Sequence, residues 1–400
     1  MTPPSKKHDI DPYLYLILAL VPLICLPGLA IGLFSIHLAP HLSVLVLGFG
    51  IFGAAFILSW AAEAAQMDIS ESLAVAILAL LAVLPEYAVD FVFTWKAAHD
   101  PSQAHYAIAN MTGSNRLLVG LGWPMVLLLY ILAKKKKRIV LDESLRVEIF
   151  YLMMATLYSF TIPLKGSLTL IDTVILVLLF ALYARRAAQM ETTEPEMVGP
   201  VKIIANMSKV SRRIVTILMF AFAGLVIFSV AEPFAVSLVE MGRRFGIDEF
   251  LLVQWLAPIA SESPEFIVAA TWAMRGAAGP ALKVLISSKV NQWTLLVGTI
   301  PLVFAISGGA IRPFVLDSLQ QHELFLTAAQ SLFGVAVLVN LRFSRSNGLL
   351  LLALFTSQLI VQQIRMEVAV LYLLLAVVYG ILHRKCLLPA TLIGLGLTKK

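Results

Sequence analysis

The chain reads as long apolar runs separated by short polar breaks, not as the alternating or amphipathic patterns of a soluble fold. The runs fall near 13–36, 43–65, 69–97, 104–133, 146–164 and 168–187, and resume after a polar interval near 212–240, 247–274, 280–306, 322–342, 347–365 and 367–385. About 20 helical residues, each rising ~1.5 Å, cross the ~30 Å hydrocarbon core of a bilayer. The pattern therefore predicts an all-α polytopic membrane protein with about 12 transmembrane helices. The first run follows Lys6 and Lys7, as the apolar part of a secretory leader would. It is too long for that, and no A-x-A type cleavage site follows it, so a retained span is expected.

Composition agrees with this reading. Sixty per cent hydrophobic residues, 14% charged residues and a mean hydropathy of +0.89 exclude an ordinary soluble domain. The formal charge of +6 matters less than where it lies. With the N-terminus inside, 20 of the 30 Lys and Arg fall in cytoplasmic segments, among them Lys134 to Arg138, Arg185, Arg186, Arg212, Arg213, Arg384 and Lys385. Only six fall outside: Lys96, Lys165, Arg243, Arg244, Arg312 and Arg365. An integral protein of the plasma membrane is expected, with both termini cytoplasmic and with lipid and inorganic cations, not nucleic acid, as partners. Cys25 and Cys386 stand far apart in apolar surroundings, so neither a disulfide framework nor a thiolate metal site is implied.

The one shift in composition, Gln189 to Val210, reads as a linker between two related halves. Glu63, Ile69-Ser70-Glu71 and Pro85-Glu86 recur as Glu240, Ile247-Asp248-Glu249 and Pro264-Glu265, at offsets of 177, 178 and 179. Further on, Gly122-Trp123-Pro124 is answered by Thr299-Ile300-Pro301 at 177. Five helices per half, an odd number, place the second copy upside down, the plan of many secondary transporters. The expected organisation is 1–42 as N-terminus and extra helix, 43–187 as first repeat, 188–211 as cytoplasmic linker, 212–365 as second repeat and 366–400 as extra helix and tail.

Acids within such runs carry the chemistry. A carboxylate at mid-bilayer costs a few kcal/mol, so it normally faces a polar cavity with a task. Glu86 and Asp90 are four residues apart and Glu262 and Glu265 three, so each pair shares a helix face. Such close carboxylates need a cation or a shared proton to balance them. Pro85 and Pro264 free the carbonyls of Leu81 and Ala260 and are expected to break their helices there. The next helix of each half adds neutral oxygens: Asn110, Thr112, Ser114 and Asn115 around Gly113, and then Ser287, Ser288 and Asn291. Carboxylates with amides and hydroxyls make up the all-oxygen set that Ca2+ takes.

Leu84-Pro85-Glu86, Ala109-Asn110-Met111-Thr112-Gly113-Ser114-Asn115 and Pro264-Glu265 together resemble the sodium/calcium exchanger family of the Ca2+/cation antiporters, over roughly 43–365. The resemblance implies a secondary antiporter moving Ca2+ or a similar cation against Na+ or H+, with no enzymatic activity and no cofactor. It makes Glu86 and Glu265 the central carboxylates, with Asn110, Ser114 and Asn291 as helpers. The sequence departs from the family where Gly-Thr-Ser is replaced by Leu81-Ala82-Val83 and by Ala260-Ser261-Glu262, leaving Ser261 as the surviving hydroxyl. The segment Ser287-Ser288-Lys289 matches the partner-helix motif poorly and leaves open which serine answers Asn110. Arg116 and Lys289 join Asp90 and Glu262 as additional charges on these helices. They are expected to pair with those acids, with Lys289 acting as a built-in cation that leaves when substrate enters. The alternatives are a Na+/H+ or K+/H+ exchanger, a non-transporting cation sensor, and an intramembrane hydrolase. The last is disfavoured because Asp90 and Asp172 lack an aspartyl protease's flanking residues and no His-Glu-x-x-His occurs.

Overall fold

The computed structural model describes residues 11–68, 84–190, 197 and 199–397. Its principal helices are α1 (Tyr13–Phe34), α2 (Pro40–Ala65), α3 (Leu84–Ala97), α4 (Ala104–Leu117), α5 (Trp123–Lys134), α6 (Arg146–Ser159), α7 (Leu170–Ala187), α8 (Lys209–Phe245), α9 (Glu249–Arg275), α10 (Ala278–Asn291), α11 (Val297–Gly308), α12 (Ser318–Leu338), α13 (Arg345–Ile360), α14 (Arg365–Leu382) and α15 (Arg384–Gly394). Every apolar run of the sequence is helical where it is described. Ile69-Ser70-Glu71 and Leu81-Ala82-Val83 lie outside the described residues. Among those described, seven helices are long and apolar enough to cross a membrane.

The chain forms two compact units. One comprises Met1–Ala88, Glu191–Glu249 and Ala260–Pro264. Here α1, α2 and α8 pack on one another along their lengths. Small residues permit the approach, as at Gly53, where a Cβ would stand 2.6 Å from Cys25 Sγ. The outer face of α1 presents Leu16, Leu20 and Leu23, apolar surface suited to lipid.

The second unit comprises Val89–Met190, Phe250–Ile259 and Glu265–Lys400. Its internal repeat is visible element by element. Helix α4, a π-helical turn at Leu118–Gly122 and helix α5 have lengths of 14, 5 and 12 residues. So do α10, a π-helical turn at Gln292–Leu296 and α11. Each element of the second set begins 174 residues after its counterpart: Ala278 after Ala104, Gln292 after Leu118, Val297 after Trp123. This register supersedes the match of Pro124 to Pro301 read from sequence. Pro124 stands at the second position of α5 and Pro301 at the fifth of α11, so Gly298 is the counterpart of Pro124.

Short strands confirm the symmetry. β1 (Arg138–Val140) and β2 (Ser167–Leu168) belong to the first repeat, and β3 (Phe314–Val315) and β4 (Arg342–Ser344) to the second. β1 pairs antiparallel with β4, and β2 with β3. A two-fold exchange of the repeats converts one pair into the other. The pairings also join segments that the distribution of Lys and Arg assigns to one side: 138–140 with 342–344, and 167–168 with 314–315.

One expectation fails. Helix α9 is continuous through Pro258 and Pro264. A proline removes a single backbone donor, and the flanking bonds of a 27-residue helix hold the axis together.

Candidate cation-binding site

The polar face of α4 is wholly inside the protein. Asn110, Thr112, Ser114, Asn115 and Arg116 are all buried. Most of these groups close local bonds, as an apolar interior requires. Thr112 Oγ1 donates to Ile108 O at 2.6 Å, Ser114 Oγ to Asn110 O at 3.0 Å and Asn115 Nδ2 to Met111 O at 2.8 Å. Asn110 instead turns to α3, its Nδ2 donating to Asp90 Oδ1 at 2.7 Å. Asn110 Oδ1 and Asp90 Oδ2 are left buried without a hydrogen-bond partner. Orphaned acceptor oxygens of this kind are costly unless a donor or a cation meets them.

On the second repeat, Glu265 Oε2 is likewise buried without a partner, and the Ser288 hydroxyl of α10 stands beside this carboxyl. Ser287 lies beside the Tyr183 hydroxyl of α7. Asn291 ends α10 and is buried. Lys289 is fully buried. Its Nζ donates to Asn115 Oδ1 at 2.7 Å and Asn115 O at 3.2 Å, and lies 4.4 Å from the centre of the Trp293 ring. The structure thus joins Asp90 with Asn110, Glu265 with Ser288, and Asn115 with Lys289. Glu86, Ser261 and Glu262 are buried in the other unit.

The 174-residue register decides the alignment of the partner helices. Ser287 and Ser288 stand where Gly113 and Ser114 stand, and Lys289 where Asn115 stands. Neither serine answers Asn110; Val284 does.

Arg116 corrects a second expectation. It pairs with Glu323 of α12, not with Asp90 or Glu262, and donates to Gln358 Oε1 at 2.7 Å. Its guanidinium also covers the Trp255 ring at 5.1 Å. Arg365 grips the other oxygen of Glu323. Gln254 completes the group, with Nε2 donating to Glu323 Oε2 at 2.7 Å and Oε1 accepting from Arg365 at 3.3 Å. Sequence reading missed this network because Glu323 and Arg365 stand at the ends of apolar runs, where charges normally meet headgroups and water. The capping box of Asp317 and Gln320, which starts α12 before Glu323, is the signal that places it inside. Asp172, the other aspartate weighed for hydrolysis, is engaged in the capping box of α7 and is paired with Lys165.

Comparison with known proteins gives a consistent answer. The family model described as sodium/calcium exchanger protein matches residues 39–187 and 215–364. The crystal structure of the H+/Ca2+ exchanger CAX is similar at 41% identity, covering 96% of this chain and 98% of that one, with a TM-score of 0.92. Native YfkE (16% identity, 90% of this chain and 99% of that one, TM-score 0.61) shares the fold. So does the sodium-calcium exchanger NCX_Mj (17% identity, 83% and 99%, TM-score 0.53). No curated protein sequence matches the chain.

Proposed function

Because the chain belongs to the sodium/calcium exchanger family, we propose that it exchanges Ca2+ for H+ across the membrane by alternating access, with Glu86 and Glu265 as the carboxylates that bind either ion. The observation that carries this reading is the 41% identity, over 96% of the chain, to an H+/Ca2+ exchanger. The chemistry follows from charge balance. Buried carboxylates must be neutralised, by Ca2+ or by protons, and the two alternatives compete for the same oxygens. A carrier that crosses only when neutralised therefore couples one flux to the other. This reading assigns Asp90, Glu262, Asn110, Ser114, Ser261, Ser288 and Asn291 as the further oxygen donors to the ions. Ser287 is the weaker candidate, since it lies beside Tyr183.

In this reading the protein resides in the plasma membrane with both termini cytoplasmic, needs no cofactor and catalyses no covalent chemistry. Residues 43–187 and 212–365 are its two repeats and 188–211 their linker. The Na+-coupled alternative draws on a likeness to NCX_Mj at 17% identity, a likeness of fold.

Proteoliposomes loaded with a Ca2+ indicator test the proposal. Ca2+ uptake should follow an imposed pH gradient, ignore a Na+ gradient, and disappear in Glu86→Gln and Glu265→Gln. Uptake that follows Na+ and ignores pH overturns proton coupling. Absent flux with retained Ca2+ binding makes the protein a sensor.

A further inference from the structure

The hydrogen bond between Lys289 and Asn115 joins two positions that the repeat makes equivalent, 174 residues apart. When residues exchanged by a two-fold touch each other, they do so at the axis. The contact of the Lys289 ammonium with Asn115 therefore lies close to the pseudo-two-fold axis of its unit. Inverted-repeat transporters hold their ions at the interface of the repeats. The ammonium's surroundings there include an amide oxygen at 2.7 Å, a backbone carbonyl at 3.2 Å and the face of Trp293 at 4.4 Å. Amide and carbonyl oxygens are ligands for a hard monovalent ion, and an aromatic face attracts an organic cation.

We propose that Lys289 is a resident, covalently tethered cation that fills a monovalent-cation subsite close to the axis, with Asn115 as a ligand. The two repeats thereby become unequal. Asn115 is committed to the ammonium and does not serve a mobile ion, while Asn110, whose counterpart is Val284, keeps its amide oxygen open. The assignment deepens the exchanger reading and rests on it only for the meaning of the subsite. Its existence is read from monovalent cations, without Ca2+.

The test is thermal unfolding of the purified protein in detergent, titrated with Na+, K+ or methylammonium. Lys289→Ala should gain stabilisation by at least one of these cations, with an affinity about tenfold or more above that of wild type. Lys289→Arg, which keeps a tethered charge, should respond as wild type does. If Lys289→Ala folds only when one of the cations is present during purification, the proposal stands. If it folds and responds no more than wild type, or fails to fold in every cation, the proposal falls. Lys289→Met, which fills the space without charge, gives a second reading: it should lose stability without gaining a cation response, and stability equal to wild type also overturns the idea. Ca2+ uptake measured in parallel keeps the two readings apart, since wild type without Ca2+ flux defeats the exchanger proposal and leaves the monovalent titration intact.

Discussion

Helices α4 and α10 have the same length and equivalent places in the repeat, and each buries one cation near its C-terminus. The two cations are one register position apart and serve different ends. Arg116 turns away from the other repeat's helix, into Glu323 and Gln358, and the equivalent position on α10 is Val290. Lys289 reaches across to α4 itself. The contrast separates an anchor from a site residue. A guanidinium between a carboxylate, an amide and an indole is fixed in one geometry, whereas an ammonium is a point charge on a flexible stem, with no plane to align against the Asn115 oxygens it meets.

The largest way to break the comparison is at the anchor. Glu323→Gln leaves Arg116 and Arg365 facing each other in a dry interior with no carboxylate between them. Removing one partner from a buried charge network costs about 3–5 kcal/mol. Arg116→Met should cost less, because Arg365 still neutralises Glu323. Thermal unfolding in detergent should rank wild type above Arg116→Met, and Arg116→Met above Glu323→Gln. The reverse order would mean that Arg116, not Glu323, is the member the network depends on.

Smaller, and sharper, is an exchange of small residues at one register position. A Cβ added at Gly113 would fall well inside contact distance of the backbone carbonyl of Gln254. A backbone group cannot rotate away, so α4 or α9 must move. Its counterpart on α10, Ser287, already carries a side chain. Gly113→Ala should therefore destabilise by about 3 kcal/mol, at the upper end for overpacking, and Ser287→Gly by about 1 kcal/mol through added backbone freedom. The same measurement checks both, and equal losses would show that the close approach of α4 to α9 is not what requires glycine.

These particulars show which information the linear sequence carries. Few charges fall deep in an apolar run, and that is what singles out Glu86, Asp90, Glu262 and Glu265 in the sequence. The distribution of Lys and Arg also grouped the segments that pair, since each strand pair joins segments it assigns to one side. Partnerships were not legible. Arg116 and Glu323 are 207 residues apart, and the expectation that Arg116 would pair with Asp90 or Glu262 rested on their sharing the helices expected to line the site. The register of α10 was hidden for a related reason. Acidic motifs drift from an offset of 177 to 179, whereas helix and π-turn boundaries hold 174, because the chain from Glu265 to the start of α10 at Ala278 is five residues shorter than that from Glu86 to the start of α4 at Ala104, which changes spacing without disturbing the elements beyond it. Helix starts also slipped where caps, not hydrophobicity, set them: Asp317 starts α12 at Ser318 and Ser344 starts α13 at Arg345.

The mildest test concerns depth. Near the end of α2, Asp68 accepts from Arg212 at 2.7 and 3.0 Å, with Arg213 at 3.4 Å. This is the same guanidinium–carboxylate chemistry as Arg116 and Glu323, placed at the ends of the apolar runs. The hydrogen bond from Arg212, foremost, holds the Asp68 carboxyl below its ordinary value of 3.8. With a lower pKa folded than unfolded, the unfolded chain binds the proton first as pH falls. The pair's contribution is therefore fully present above the unfolded value and is lost as pH falls through the folded one, which lies below 3.8. Asp68→Asn should lower stability by about 1 kcal/mol near neutral pH, in the range for ion pairs close to water. The gap to wild type should close as the pH is taken below 3.8. Unfolding measured across that range decides it. A loss as large as that of Glu323→Gln would mean that burial is not what separates the two pairs, and the distinction between anchor and rim would have to rest on geometry alone.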